Sequence, residues 1–367
     1  MSDTSKTRIS RRGLIKGGAA LAAGSSLIAA PAISQTAGKT ATKVLDFTTY
    51  ADVAKAEAEG ELVFYCHENE QGTAAFMDGF RKDFPKIKTS YVRAQTGALY
   101  NKILSERSAG RYLCDVLQLS DIAPAVDFQK KNGWDTYVGP EFDAYKKEYR
   151  SEPSGQFIWT GVTFAGIAYN TDKVTGADIP KTWKDISDPK WKGAISCKIS
   201  SSGMQFAQWY VLGKIYGFDM WKDFAKQLPK GFDSRVQLYD RLSKGDDKVC
   251  ALAEYAGYVL YKDKKAPIEM VFPPDGLPAT PLVAGVVDKS PHPNAARLYI
   301  DWIASSRGQA YAQDHRNLIY GSVRNDPPPM PTGKKLSDFK LLFPADWDDF
   351  AKMRDQYTKE WNGMLGL

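Results

Sequence analysis

Hydrophobic and polar positions along this chain keep two rhythms in alternation. Glu61 to Cys66 is a short apolar run of strand length. Phe76, Phe80 and Phe84 then recur at helical spacing until Pro85 stops them. Ile87 to Val92 alternates as a strand does, and residues 97–109 carry Leu99, Ile103 and Leu104 on a second helical face. Val116 to Leu119 reads as a third strand. Strand, helix, strand, helix, strand is the order of a parallel α/β sheet. The same order returns later. Gly193 to Cys197 is a strand, Met204 to Tyr216 a helix and Lys248 to Glu254 a strand. Asn294 is the expected cap of a helix that buries Leu298, Trp302 and Ile303, and Arg307 to His315 extends it. Asp52 to Gly60 predicts a short helix, and 33–45 a small, polar, disordered leader. Asn325 to Pro331 is a proline-rich linker, and 336–367 a tail rich in Trp and Phe.

The amino terminus follows neither rhythm. Arg11-Arg12 precedes an uncharged run from Gly17 to Ala30, and Ala30-Pro31-Ala32 has the form of a cleavage site. The set resembles a twin-arginine export signal. The fourteen-residue run is short of the roughly 20 residues a membrane-spanning helix needs. The expectation is a periplasmic protein, cut near Ala32. The signal also accounts for most of the net charge of +6. Residues 1–32 hold five basic residues against Asp3, so the remainder is almost balanced. That argues against a nucleic-acid partner, which calls for a strong basic footprint.

What remains is long enough for two domains. Its 43% hydrophobic and 25% charged content is ordinary for a globular protein. Cys66, Cys114, Cys197 and Cys250 lie far apart, so no zinc ribbon or C-x-x-C motif exists. An oxidising compartment permits Cys66–Cys114 and Cys197–Cys250 bridges, with buried free thiols as the alternative. Parallel strands would set Cys66 and Cys114 at opposite strand ends. His67, His292 and His315 are scattered. No nucleophile elbow, phosphate loop, dinucleotide fingerprint or H-E-x-x-H motif occurs. The reading is a non-enzyme with no cofactor and no resident metal.

Tyr169-Asn170-Thr171-Asp172, Pro180-Lys181-Thr182-Trp183 and Pro189-Lys190-Trp191-Lys192-Gly193 carry a resemblance. So do Arg107-Ser108-Ala109-Gly110-Arg111, Pro293-Asn294-Ala295-Ala296 and Ser306-Arg307-Gly308-Gln309. Together they resemble the family 1 extracellular solute-binding proteins of ABC importers, in the branch containing ferric-binding proteins. The resemblance runs from about Glu61 to Arg324. It implies a two-lobed α/β periplasmic-binding-protein fold, each lobe a mostly parallel sheet flanked by helices, joined by a strand hinge. The expected division is leader and short helix 33–60, first lobe 61–160 and 275–324, second lobe 161–274, and linker with tail 325–367 packed on the second lobe. Crossings are expected near Ile158–Thr163 and Phe272–Leu282, with a return near Val323. The implied partners are a small-molecule ligand, captured by hinge closure, and the permease subunits, for a protein that is itself a monomer.

Ferric-binding relatives hold iron with two adjacent tyrosines, a His and a Glu. Here the corresponding stretch reads Ala253-Glu254-Tyr255-Ala256-Gly257-Tyr258, without a tyrosine pair. The expected His falls near Asn69 and the expected Glu near Ser120-Asp121. Iron therefore stands as an alternative with a non-standard site, and an exported enzyme on the same scaffold as a minor one. The main expectation is a small anionic or zwitterionic ligand. In such sheets ligands lie beyond the carboxyl ends of the strands. That rule selects Asn69 and Glu70 after the first strand, Arg93 and Thr96 after the second, and Ser120 and Asp121 after the third. In the second lobe it selects Ser201, Ser202 and Gly203, then Glu254 and Tyr255; Trp159 and Tyr258 are weaker candidates. Thr96 has the residue type of an N-cap. The Ser200–Gly203 loop resembles the anion-holding loop of ferric-binding relatives, and a helix start favours an anion. Arg93 suits an anionic group and Glu70, Asp121 and Glu254 a cationic one, so a ligand with separated charges satisfies both.

Overall fold

The computed structural model describes residues 40–151, 155–315, 318 and 320–367; the expected export signal lies outside them. The first described element departs from the expected leader. Strand β1 (Thr42–Val44) pairs antiparallel with β2 (Phe47–Thr49) as a small hairpin. Phe47 is buried edge-on against Phe84, and the Thr49 hydroxyl donates to Asp301, 2.6 Å away. Apolar Phe47 and this one buried hydrogen bond pin a segment whose composition is otherwise that of a loop.

Helix α1 (Val53–Glu59) starts at Asp52, whose side chain accepts from the Lys55 N–H, and stops at Gly60 in the left-handed conformation. Strand β3 (Glu61–Cys66), helix α2 (Glu70–Asp83), strand β4 (Lys88–Arg93), helix α3 (Thr96–Ser108), strand β5 (Val116–Leu119) and helix α4 (Ile122–Lys130) follow. Strand β3 lies between β4 and β5, parallel to both. The long strand β6 (Phe157–Asn170) then leads into β7 (Ile195–Lys198), α5 (Gly203–Tyr216), α6 (Met220–Ala225), β8 (Lys230–Phe232), α7 (Arg235–Lys244), β9 (Val249–Glu254), α8 (Tyr255–Asp263) and β10 (Ile268–Val271). Strand β7 is parallel to β8 and β9. Strand β11 (Leu277–Val286) returns, followed by α9 (Pro293–Ala304), α10 (Ser306–Asp314), β12 (Leu341–Leu342), α11 (Trp347–Lys352) and α12 (Arg354–Leu365).

The strands run in the order β4-β3-β5-β11-β6-β9-β7-β8, with β10 on β6 and β12 on β11. The flanks are parallel; the centre is not. Strand β11 is antiparallel to β5 and β6, and β6 is antiparallel to β9 and β10. The antiparallel centre follows from the topology, because a chain that leaves one lobe must return to it. The fold is the two-lobed α/β architecture, with β6 and β11 side by side in the middle.

Two helix expectations are corrected. Asn294 does not cap α9, which begins at Pro293. Its first N–H groups are satisfied from outside, the Glu59 carboxylate accepting from Asn294 and Ala295 at 3.0 and 2.8 Å. The following segment is not an extension. Ser305 is extended and its hydroxyl accepts from the Gly308 N–H, opening a new helix. Gly308 is required there, since a Cβ would lie 2.1 Å from the Trp302 carbonyl oxygen.

The tail closes the core under α5 and α6. Phe350 stacks on Phe206 with centroids 4.0 Å apart, Tyr357 lies 5.4 Å from Trp209, and Trp361 lies 5.3 Å from Trp221. All four cysteines are buried free thiols. Parallel pairing sets Cys66 opposite Gln118, away from Cys114, and the Cys66 thiol donates to the Gln118 side-chain oxygen. Among the described residues no helix is long and apolar enough to cross a membrane.

Candidate functional site

Six strand carboxyl ends, from both flanks of the sheet, converge on one cavity of about 320 Å³. The β3 end supplies His67, Glu68, Asn69 and Glu70, the β4 end Arg93 and Gln95, and the β5 end Ser120. From the other lobe come Lys198 after β7, with Ser202, Gly203 and Met204 opening α5. Asp233 to Val236 follow β8, and Glu254 ends β9. Thr163 of β6, Thr280 and Leu282 of β11, and Tyr320 complete the lining.

The lobes meet around it. Gln95 donates to Asp233 at 3.3 Å, and the Arg235 guanidinium lies 3.7 Å from the Glu68 carboxylate. A Cβ on Gly203 would stand in ordinary contact, 3.4 Å, with the Ser120 carbonyl oxygen, so the start of α5 lies against the β5 end. Beside the cavity, Asp121, the cap of α4, bonds Arg354 of α12.

The carboxylates of the cavity are already engaged. Glu254 is buried and pairs with Lys198 and with Arg235, the latter at 3.2 Å. Burial alone would raise its pKa; the two cations outweigh that and bring it down to about 2. Glu68 accepts from the Tyr320 hydroxyl and from the Asn69 N–H. Glu70 accepts from the Tyr91 hydroxyl. Asp233 accepts from Gln95 and Ser201. Arg93 differs: its Nε donates to the Glu68 carbonyl oxygen at 2.9 Å, and no carboxylate pairs with it among the described residues. Burial pushes the His67 imidazole below its ordinary pKa, so it adds no charge at neutral pH. At α5, Ser202 accepts from the Gln205 N–H. The N–H groups of Gly203 and Met204 precede that capped turn, at the positive end of a fourteen-residue helix.

A family model described as "Bacterial extracellular solute-binding protein" matches residues 125–352. The chain belongs to this family. The family's task is the binding of solutes. The solute-binding protein is 24% identical over 303 residues to an uncharacterized protein of Haemophilus influenzae, covering 78% of this chain and 85% of that one. It is 26% identical over 244 residues to iron uptake protein A1 of Synechocystis, covering 61% and 66%. Among solved structures it resembles the periplasmic binding protein AfuA of Actinobacillus pleuropneumoniae with fructose-6-phosphate bound. The TM-score is 0.73, with 22% identity over 84% of this chain and 99% of that one.

The solute-binding protein places Asn69, Glu70, Arg93, Ser120, Ser202, Gly203 and Glu254 on the cavity. Four expected residues are placed elsewhere. Thr96 is not an N-cap; Gln95 holds that position, and the Thr96 hydroxyl lies 3.0 Å from that of Ser120. Asp121 caps α4 by accepting from Ala123 and is drawn to Arg354. Ser201 turns to Asp233. Tyr255 stacks on Phe164 and its hydroxyl meets Thr332. Trp159 packs on Tyr149, Phe343 and Trp347, and the Tyr258 hydroxyl donates to Glu269.

Lys198, Asp233, Arg235, Thr163 and Thr280 escaped the sequence reading. Lys198 ends a strand, and the same carboxyl-end rule selects it. Ser234 with Gln237 forms a capping box, a sequence signal for a helix start facing the cavity. Nothing in the sequence singles out Thr163 or Thr280.

Proposed function

We propose that this protein is the solute-capturing component of an ABC importer, working in the periplasm and delivering a small anionic solute to the permease subunits. One observation carries the reading: the inter-lobe cavity joins Arg93, which no carboxylate pairs among the described residues, and the open α5 N-terminus, while its carboxylates are already matched by the protein's own donors. Helix N–H groups and a guanidinium favour an anion. A ligand cation would have to compete with Lys198 and Arg235 for Glu254, so the anionic form of the expectation is preferred over the zwitterionic one. The volume of about 320 Å³ exceeds what a bare ion fills and suits a small organic anion. The fructose-6-phosphate in the AfuA structure is a ligand of that kind.

Ferric iron is the second reading, and the kinship with iron uptake protein A1 favours it. Fe(III) calls for several hard anionic oxygens. Glu70, Asp121, Glu254 and Tyr255, the candidate donors, are engaged with Tyr91, Arg354, Lys198 with Arg235, and Thr332 respectively. No group of three or more His, Cys, Asp or Glu side chains among the described residues is arranged to hold a metal.

Thermal unfolding against sugar phosphates, phosphonates, carboxylates and ferric citrate separates the two. A solute at a hundredfold excess over Kd adds about 2.7 kcal/mol to apparent stability. Stabilisation by an organic anion in a colourless protein supports anion capture. A tyrosinate-to-iron absorption band with stabilisation by ferric citrate alone replaces it with iron.

A further inference from the structure

The two strands that run between the lobes both line the cavity, and they hold a polar atom with no hydrogen-bond partner among the described residues. Thr280 of β11 stands directly opposite Thr163 of β6, and both line the cavity. Glu254 pairs across from Ala165, two residues along β6 on the same face. Met204, the second residue of α5, packs with Ala165 and Leu252, so the α5 N-terminus sits over this face.

Thr280 is 4% exposed, and its hydroxyl has no hydrogen-bond partner among the described residues. Thr160, also buried on β6, shows the ordinary outcome. Its hydroxyl donates to the Leu282 carbonyl oxygen at 3.1 Å and accepts from Gln118 at 2.9 Å. Buried hydroxyls are almost always matched. Other buried hydroxyls, those of Ser196, Tyr299 and Tyr357 among them, also lack a partner among the described residues, but Thr280 is the member of that set that lines the cavity, where a solute can supply one.

We infer that Thr280, with Thr163 beside it, hydrogen-bonds the anionic group of the captured solute and selects a tetrahedral oxyanion over a carboxylate. The inference rests on the anion-capture reading above and deepens it. Donors approach the same space from three sides: the α5 N–H groups from one lobe, Arg93 from the other, and the threonine hydroxyls from the strands between the lobes. A carboxylate has two oxygens in one plane and satisfies two of those directions. A phosphoryl or phosphonyl group carries three terminal oxygens pointing apart and satisfies all three. The rest of the cavity then takes the remainder of the solute.

The test is calorimetric titration of the parent, Thr280→Val and Thr280→Ser with inorganic phosphate, fructose 6-phosphate and citrate. Valine keeps the shape and removes the hydroxyl; serine keeps the hydroxyl. The expected result is that a phosphorylated probe binds the parent, weakens about tenfold or more in Thr280→Val, and stays within about threefold in Thr280→Ser. Unliganded Thr280→Val is expected to melt no lower than the parent, since an unmatched buried hydroxyl has been removed. Equal binding by Thr280→Val and the parent overturns the role of Thr280. Binding of citrate but neither phosphate compound overturns the oxyanion preference and leaves anion capture standing. Binding of ferric citrate alone, with a coloured protein, removes both.

Discussion

Glu254 shows how a single side chain here serves the molecule before it serves a ligand. Its folded pKa of about 2 lies below the ordinary value of 4.5 because Lys198 and Arg235 outweigh the effect of burial. A carboxylate shifted that way contributes stability above about pH 4.5 and loses it as pH falls toward 2. Glu254→Gln leaves two buried cations facing each other, a loss of about 3–5 kcal/mol at pH 7. Urea unfolding of both forms should show that gap closing as the pH is lowered to 3. Asp301 has the opposite sign. Burial raises its pKa to about 8, although Thr49 and Tyr137 both donate to it. The folded state then holds a proton that the unfolded chain releases above about pH 4, so stability falls as pH rises from 4 to 8. Asp301→Asn should flatten that slope and melt higher than the parent at pH 8.

The residues that strand ends dictate were legible in the sequence: Arg93, Ser120 and Glu254 each follow or finish a readable strand, and Gly203 closes the serine loop after one. Thr280 was not, because it lies within a buried strand where a threonine reads as packing. Asp121 and Tyr255 were misplaced for a different reason. Their partners, Arg354 and Thr332, lie 233 and 77 residues away, and one-dimensional spacing carries no record of such contacts.

At the scale of elements, the strands and helices with clean periodicity were readable almost to the residue; Glu61–Cys66 and Val116–Leu119 are examples. Boundaries set by tertiary contacts were not. The break at Ser305 depends on Gly308 lying against Trp302, and the β1–β2 hairpin depends on Phe84 and Asp301. Helix α12 had a signal in its aromatic residues, and its packing makes a sharp prediction. Trp361 is buried beside Trp221 and Phe224, and its ring N–H donates to the Lys198 carbonyl oxygen at 2.8 Å. Trp361→Ala should cost about 3–5 kcal/mol, measured by denaturant unfolding. It also removes a support from the strand end that carries the cavity's Lys198.

At the scale of the whole molecule, the cavity exists because two lobes agree to close, and one of the clasps lies outside it. The Arg354 guanidinium rests 3.9 Å over the Phe206 ring while bonding Asp121 of the opposite lobe. Opening the cleft breaks that contact and rehydrates both charges. Arg354→Met keeps the packing on Phe206 and removes the bond. The expected outcome is a larger open fraction by small-angle scattering and about tenfold weaker affinity for every solute that binds, with their order unchanged. A changed order of preference would place Arg354 in solute recognition instead of closure.

The tail also bears on how the molecule comes into being. Phe350, Tyr357 and Trp361 complete the aromatic core beneath α5 and α6, and β11 fills the place between β5 and β6, which precede it by more than a hundred residues. Neither lobe can finish before β11 and α12 have been made. The nascent protein must wait, with apolar surface uncovered, until α12 has left the ribosome, and then settle through contacts distant in sequence, which are slow to form. Completion of the fold thus lags well behind synthesis of its first strands, and whatever holds the newborn chain soluble has that interval to act.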